Sequence, residues 1–192
     1  GYRGYGQAGN MVEDDYARRN LEEARKAGLE IGAYFFSQAT TVDEVDDEIF
    51  FFMKILGDTE LTMPIVLDWE RVGVETARTN NVDAETLTAM QKHFCKTMVD
   101  FGYTPMVYFN WHLAESSLYL SELEDYPFWL ALYQDWLNYP FRGETWQYHL
   151  TGLVPGLPGD VDIKVLLPEP RSLWIRFFPV PVLLPRLFIW GG

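Results

Sequence analysis

The strongest constraint on the fold is the alternation of short apolar runs with longer amphipathic segments. The runs rich in apolar and aromatic residues are 31–36, 64–68, 105–109, 128–133 and 145–149. Segments with helical periodicity lie between them, at residues 14–27, 43–56, 83–101 and 113–123. Short runs buried on both faces are typical of parallel strands joined by helices. The sequence therefore predicts a parallel α/β fold, either a (β/α) barrel or a doubly wound sheet.

Residues 164–192 differ from the rest of the chain. They are apolar but contain five of the 11 prolines, and these interrupt any continuous helix. A membrane-spanning helix is therefore not expected there. We predict one domain over residues 1–163, followed by an atypical proline-rich tail over residues 164–192.

Composition excludes several classes of function. The formal net charge is -13, and no cluster of Lys and Arg is present, so nucleic acid and anionic membranes are not expected partners. The single cysteine, Cys95, cannot form an internal disulfide. The three histidines lack metal-ligand spacing, so a metal site is not expected.

The sharpest local feature is the pair of acids Asp68 and Glu70 at the end of an apolar run. Side chains two apart in a strand point the same way, so the two carboxyls share a face and Trp69 takes the other. Two nearby carboxyls resist ionising together, and such a pair can serve glycoside hydrolysis. The alternative is structural, with the acids capping a loop or pairing with Arg71.

A second candidate acid and six polar or aromatic side chains lie on other segments of the chain. Asp162 lies just after the turn-rich residues 155–159, where a solvated turn acid is the alternative interpretation. The side chains that could line a sugar groove lie within or just past predicted strands. They are Tyr34, Tyr108, Asn110, Trp129, Tyr133 and Trp146. Packing in the core is the alternative for each of them.

Several motifs in a fixed order resemble a known family. They are the 15–20 stretch leading to residues 27–36, then residues 64–70, 105–110, 129–133, 146–148 and 156–162. In these motifs the chain is similar to the glycoside hydrolase family 25 muramidases, also called Chalaropsis-type lysozymes. The likeness covers roughly residues 1–163.

The resemblance implies an irregular TIM-like (β/α) barrel and hydrolysis of the β-1,4 bond between N-acetylmuramic acid and N-acetylglucosamine in peptidoglycan. It implies Glu70 as the general acid, with Asp68 supporting the transition state or orienting the N-acetyl group. Asp162 would lie across the same cleft. It also implies no cofactor, and a site of action in the cell wall or outside the cell, reached by secretion or phage release. We expect a monomer, although no sequence feature specifies the oligomeric state. No signal peptide is expected in this chain.

The chain departs from the family pattern at two places. The family opens with a strand that carries a further active-site Asp, whereas residues 1–5 here resemble the end of the second strand. We therefore expect a barrel that lacks its first strand and most of its second. In addition, Lys164 follows the late Val-Asp motif and leads into the proline-rich tail. A non-catalytic glycan-binding module and a barrel glycosidase acting on another polysaccharide remain alternatives.

Overall fold

The computed structural model of the protein describes residues 1–135, 137, 144–153 and 159–167. Its strands are β1 (Tyr2–Arg3), β2 (Met11–Val12), β3 (Ala33–Ser37), β4 (Ile65–Trp69), β5 (Pro105–Asn110), β6 (Phe128–Ala131), β7 (Thr145–Gly152) and β8 (Val161–Leu166). Its α-helices are α1 (Ala17–Lys26), α2 (Val42–Leu56), α3 (Ala84–Asp100) and α4 (Trp111–Ser116). Short 3-10 turns cover Arg78–Asn81 and Leu120–Glu122.

All eight strands form one sheet in the order β2-β1-β3-β4-β5-β6-β7-β8. From β1 and β3 through β7 neighbouring strands are parallel, whereas β2 and β8 pair antiparallel at the two edges. The parallel strands follow each other in chain order without the reversal that marks a doubly wound sheet. This winding is that of a TIM-like fold and decides between the two predicted architectures. Among the described residues, β2 and β8 do not pair, so the barrel is not closed.

The main core lies between the sheet and the helices. Phe35, Leu67 and Phe109 point to this side from the strands, while Phe52 and Phe94 meet them from α2 and α3. A second, smaller cluster occupies the opposite face of the sheet and includes Val66, Met106 and Trp129. The sheet thus has one face covered by helices and another on which polar and aromatic side chains gather.

Most predicted helices form where the periodicity placed them. Asp83 caps α3 by accepting a hydrogen bond from the Thr86 amide at 2.7 Å, as its position predicted. The single helix predicted over residues 113–123 is wrong. The Asn110 side chain starts α4 at Trp111, and the Tyr119 amide donates to Thr88 Oγ1 at 3.0 Å instead of continuing the helix.

The two ends of the sheet come from segments that the sequence analysis does not predict as complete strands. β8 ends at Leu166, three residues beyond residue 163, where the sequence analysis placed the end of the domain. The division into a domain and a tail stays a prediction. Residues 168–192 of the tail predicted over 164–192, and residues 155–158 of the turn predicted over 155–159, lie outside the described residues. Within the part that is described, no helix is long and apolar enough to cross a membrane.

Candidate active site

A cavity of about 400 Å³ opens on the face of the sheet opposite the helices. It lies toward the carboxyl ends of β3 and β4, where parallel α/β folds place their sites. Its lining combines carboxylates with aromatic rings, and the residues are Gly1, Tyr2, Asp14, Tyr34, Phe36, Asp68, Glu70, Tyr108, Trp129, Tyr133, Gln147, Leu150 and Asp162.

Asp68 and Glu70 both face this cavity, as the strand period predicted. Trp69 between them is fully buried on the helix side, where its indole Nε1 donates to the Ala39 carbonyl at 2.8 Å. This indole contact fixes the rotation of the strand end. The alternation therefore holds both carboxyls on one face at the end of β4.

The environment of Asp68 favours its neutral form. The residue is only 9% exposed, and burial, followed by the charge of Glu70, raises the pKa of its carboxyl well above the usual range. Asp68 Oδ1 has no hydrogen-bond partner within the part of the chain that the structure describes. Asp68 consequently retains a proton at pH values at which an exposed aspartic acid has lost it.

Glu70 is held from both its main chain and its side chain. Gln38 Nε2 donates to the Glu70 carbonyl at 2.6 Å, and the Tyr108 hydroxyl donates to Glu70 Oε1. Burial raises the pKa of Tyr108, so its hydroxyl stays a donor. Arg71 points away and donates to loop carbonyls, to that of Thr79 at 2.6 Å. The alternative in which Arg71 pairs with the two acids is therefore not what forms.

Trp129 lies between the aromatic rings of Tyr34 and Tyr108, which line the cavity with it. Its ring makes edge-to-face contacts with Tyr108 at 4.8 Å and with Tyr34 at 6.1 Å between centroids. Its indole nitrogen donates to Gln147 Oε1 at 3.1 Å, and Gln147 Nε2 donates to the Tyr133 hydroxyl at 3.2 Å. Burial raises the pKa of Tyr34 and of Tyr133 to about 12, which keeps both phenols neutral.

Asp162 reaches the same cavity from β8, on the far side from β4. Lys164 lies two residues further along this strand and is 6% exposed. Its ammonium is 3.9 Å from Asp162 Oδ2 and 4.2 Å from the centroid of the Trp129 ring. A buried cation thus accompanies the acids of the cavity.

The structure does not bring Asn110 and Trp146 to the cavity lining. The Asn110 side chain accepts a hydrogen bond from the Leu113 amide at 3.1 Å and caps α4. Trp146 pairs in register with Leu130, a residue of the helix-side core, and its indole donates to the Leu132 carbonyl at 2.8 Å. Neither Asn110 nor Trp146 therefore lies where the predicted sugar groove would require it.

Several cavity residues went unpredicted. Phe36 and Gln147 lay within quoted motifs, and the period of two from Tyr34 identifies Phe36. Asp14 lies in the segment predicted as a helix, but it precedes α1, and its Oδ1 accepts a hydrogen bond from the Tyr16 amide at 2.7 Å. Lys164 does not line the cavity itself; it lies in the segment predicted as the tail, but β8 continues through it and places it on the same strand face as Asp162.

No group of three or more His, Cys, Asp or Glu side chains is arranged to hold a metal ion in the described ranges. The residues that line the cavity offer acid–base groups, hydrogen-bond donors and flat rings. This arrangement suits proton transfer beside a bound ring-shaped ligand.

Comparison with known proteins decides the family. The sequence model of the family described as glycosyl hydrolases family 25 matches residues 7–157, which is most of the chain. The chain belongs to glycosyl hydrolase family 25. It is also 28% identical over 164 residues to the uncharacterized protein YegX of Escherichia coli O157:H7, a match that covers 82% of this chain and 55% of that protein.

Solved structures share the family 25 fold at low sequence identity. The CTP1L endolysin is 21% identical, with a TM-score of 0.68, over 88% of this chain and 56% of its own. The modular autolysin LytC of Streptococcus pneumoniae is 23% identical, with a TM-score of 0.69, over 85% of this chain and 38% of its own. The family 25 chain described here spans about half the length of the curated relatives it matches.

Proposed function

We propose that the chain hydrolyses the β-1,4 bond between N-acetylmuramic acid and N-acetylglucosamine in peptidoglycan. The observation that carries the proposal is the pairing of Asp68 and Glu70 on one face of β4, at an aromatic-lined cavity. Glycoside hydrolysis uses two carboxyl groups flanking the scissile bond. The structure of LytC in complex with a synthetic peptidoglycan ligand, a protein of the same fold, supports this substrate class.

In this proposal Glu70 is the general acid that protonates the leaving oxygen. Its carboxyl faces the cavity, and the Tyr108 hydroxyl holds Oε1, which leaves Oε2 to carry the proton. Asp68 lies close enough to Glu70 for the charge of Glu70 to help raise the pKa of Asp68.

Asp68 then supports the transition state or orients the N-acetyl group of the substrate, and Asp162 acts from across the cavity. Tyr34, Tyr108, Trp129 and Tyr133 give flat surfaces against which sugar rings pack. The proposal requires no metal and no cofactor, and it treats the chain as a monomer that acts on the cell wall after secretion or phage release.

The experiment compares purified peptidoglycan turnover by the parent chain with that by Glu70→Gln. New reducing ends measure turnover, and sedimentation with insoluble peptidoglycan measures binding. Glu75→Gln is the matched control, because Glu75 is an exposed residue on the loop that follows β4. We expect Glu70→Gln to lose about 100-fold or more of the rate while binding persists. A Glu70→Gln rate equal to the parent's would refute the assignment.

The same two assays, extended to Trp129→Ala and to other polysaccharides, separate the alternatives. A glycan-binding module would bind peptidoglycan without turnover in any variant and would lose binding in Trp129→Ala. A glycosidase of other specificity would cleave chitin or a plant glycan faster than peptidoglycan. Either result would replace the muramidase proposal.

A further inference from the structure

Lys164 is a buried cation next to residues that line the cavity, Trp129 and Asp162. Its side chain is 2% exposed, although lysine is among the residues least often buried. In the register of β7 and β8 it lies opposite Gln147, whose side chain lines the cavity. Its position therefore places the ammonium at the wall of the active site.

The contacts of the ammonium explain how the structure tolerates a buried charge. It lies 4.2 Å from the centroid of the Trp129 ring, within the range of a cation–π interaction, and 3.9 Å from Asp162 Oδ2. Trp129 in turn contacts Tyr108, the residue that holds Glu70. Lys164 therefore contacts Asp162 directly and reaches Glu70 only through the packed side chains of Trp129 and Tyr108.

Asp68 is the acid of the cavity whose ionised form is most disfavoured by its surroundings. It is nearly fully buried and Oδ1 lacks a hydrogen-bond partner among the described residues, while Glu70 adds a negative charge beside it. The charge of Lys164 acts in the opposite direction and lowers the pKa of Asp68. Other titratable groups line the same cavity as Asp68, and they come from several parts of the chain. They are Asp14, Tyr34, Glu70, Tyr108, Tyr133 and Asp162.

We propose that Lys164 is a positioning residue whose buried ammonium supplies the counter-charge for Asp68 and Asp162 in the active site. The inference rests on the proposed function of the same cavity. Burial lowers the pKa of Lys164 to about 8, so the ammonium is charged below that pH. Lys164 thereby lets Asp68 ionise at a lower pH than burial beside Glu70 alone would permit.

The direct test is the titration of Asp68, followed by 13C NMR of labelled aspartate in the full chain and assigned with Asp68→Asn. Lys164→Met keeps the length of the side chain and removes the charge. We expect it to raise the titration midpoint of Asp68 by about one pH unit or more. Lys92→Met is the matched control, because Lys92 is half-exposed and pairs with Glu122 on the helix side. An unchanged midpoint in folded Lys164→Met would overturn the proposal.

Two further measurements cover a Lys164→Met variant that does not fold. Lys164→Arg keeps the positive charge, so its Asp68 midpoint should stay below that of any uncharged replacement that folds, such as Lys164→Gln. In the parent chain below pH 8, the 15N-detected ammonium of Lys164 should show contacts to protons of the Trp129 ring. Equal midpoints for Arg and Gln, or no contact to Trp129, would overturn the proposal.

Catalysis supplies a readout that a purely structural role would not change. Removing the charge should move the acidic limb of the kcat/KM profile of a folded variant upward in pH, whereas a packing defect lowers activity at all pH values alike. The NMR titration needs no turnover. Absence of hydrolysis would therefore count against the proposed function, while an unchanged Asp68 midpoint would count against the role of Lys164.

Discussion

The hydrogen bond from Tyr108 to Glu70 allows a test with a one-atom change. Tyr108→Phe removes the hydroxyl that Glu70 Oε1 accepts and keeps the ring, which is 4% exposed and packed against Trp129. A hydrogen bond to a charged group contributes about 1.5 to 3 kcal/mol. If the bond positions Glu70 in the transition state, its loss lowers kcat/KM by about 10- to 150-fold.

The assay measures initial rates of reducing-end formation from soluble peptidoglycan fragments over a range of concentrations. We expect the loss in kcat rather than in KM, because the aromatic ring that lines the cavity remains. Tyr103→Phe is the matched control, because Tyr103 lies at the opposite end of β5 and packs on the helix-side core. A Tyr108→Phe variant within about twofold of the parent in kcat/KM would refute the positioning of Glu70 by Tyr108.

Two predictions concern stability. Burial raises the pKa of Glu48 from 4.5 to about 7, even though Arg3 Nε donates to Glu48 Oε1 at 2.6 Å. Because the folded state holds this proton more tightly than the unfolded chain, the free energy of unfolding gains about 3 kcal/mol below pH 4.5. This contribution is lost as the pH rises through 7. Urea unfolding should show a steeper fall of stability with pH in the parent than in Glu48→Gln, in which the raised pKa of Asp68 still contributes, and equal slopes would contradict the prediction. Asp83→Ala removes the N-cap of α3 and should lower the free energy of unfolding by about 1 kcal/mol with activity retained. An unchanged urea midpoint would show that the cap contributes nothing.

Local sequence predicted the part of the site that depends on one strand. The period of two placed Asp68 and Glu70 on one face and Trp69 on the other, and all three lie there. The strands and helices from residue 17 to residue 110 likewise follow from local periodicity and caps. In these cases the information lies within a few residues of the position concerned.

Long-range pairing determined what the sequence could not predict. Trp146 faces the helix side because β7 pairs with β6 in the register Leu130 to Trp146, which no local pattern shows. Lys164 enters the site because β8 folds back antiparallel on β7, with irregular register around His149. Asn110 lies at the expected strand end, but capping of α4 engages its side chain. Competing partners, more than residue type, decided these positions.

The central claim is cleavage after muramic acid, and the identity of the new reducing end tests it most directly. Peptidoglycan digested by the parent chain is reduced with borodeuteride, hydrolysed, and analysed by mass spectrometry for deuterium-labelled sugar alcohols. We predict label in muramicitol and none above background in glucosaminitol. Label in glucosaminitol alone would contradict the claim, because it would show cleavage of the other glycosidic bond of the polymer.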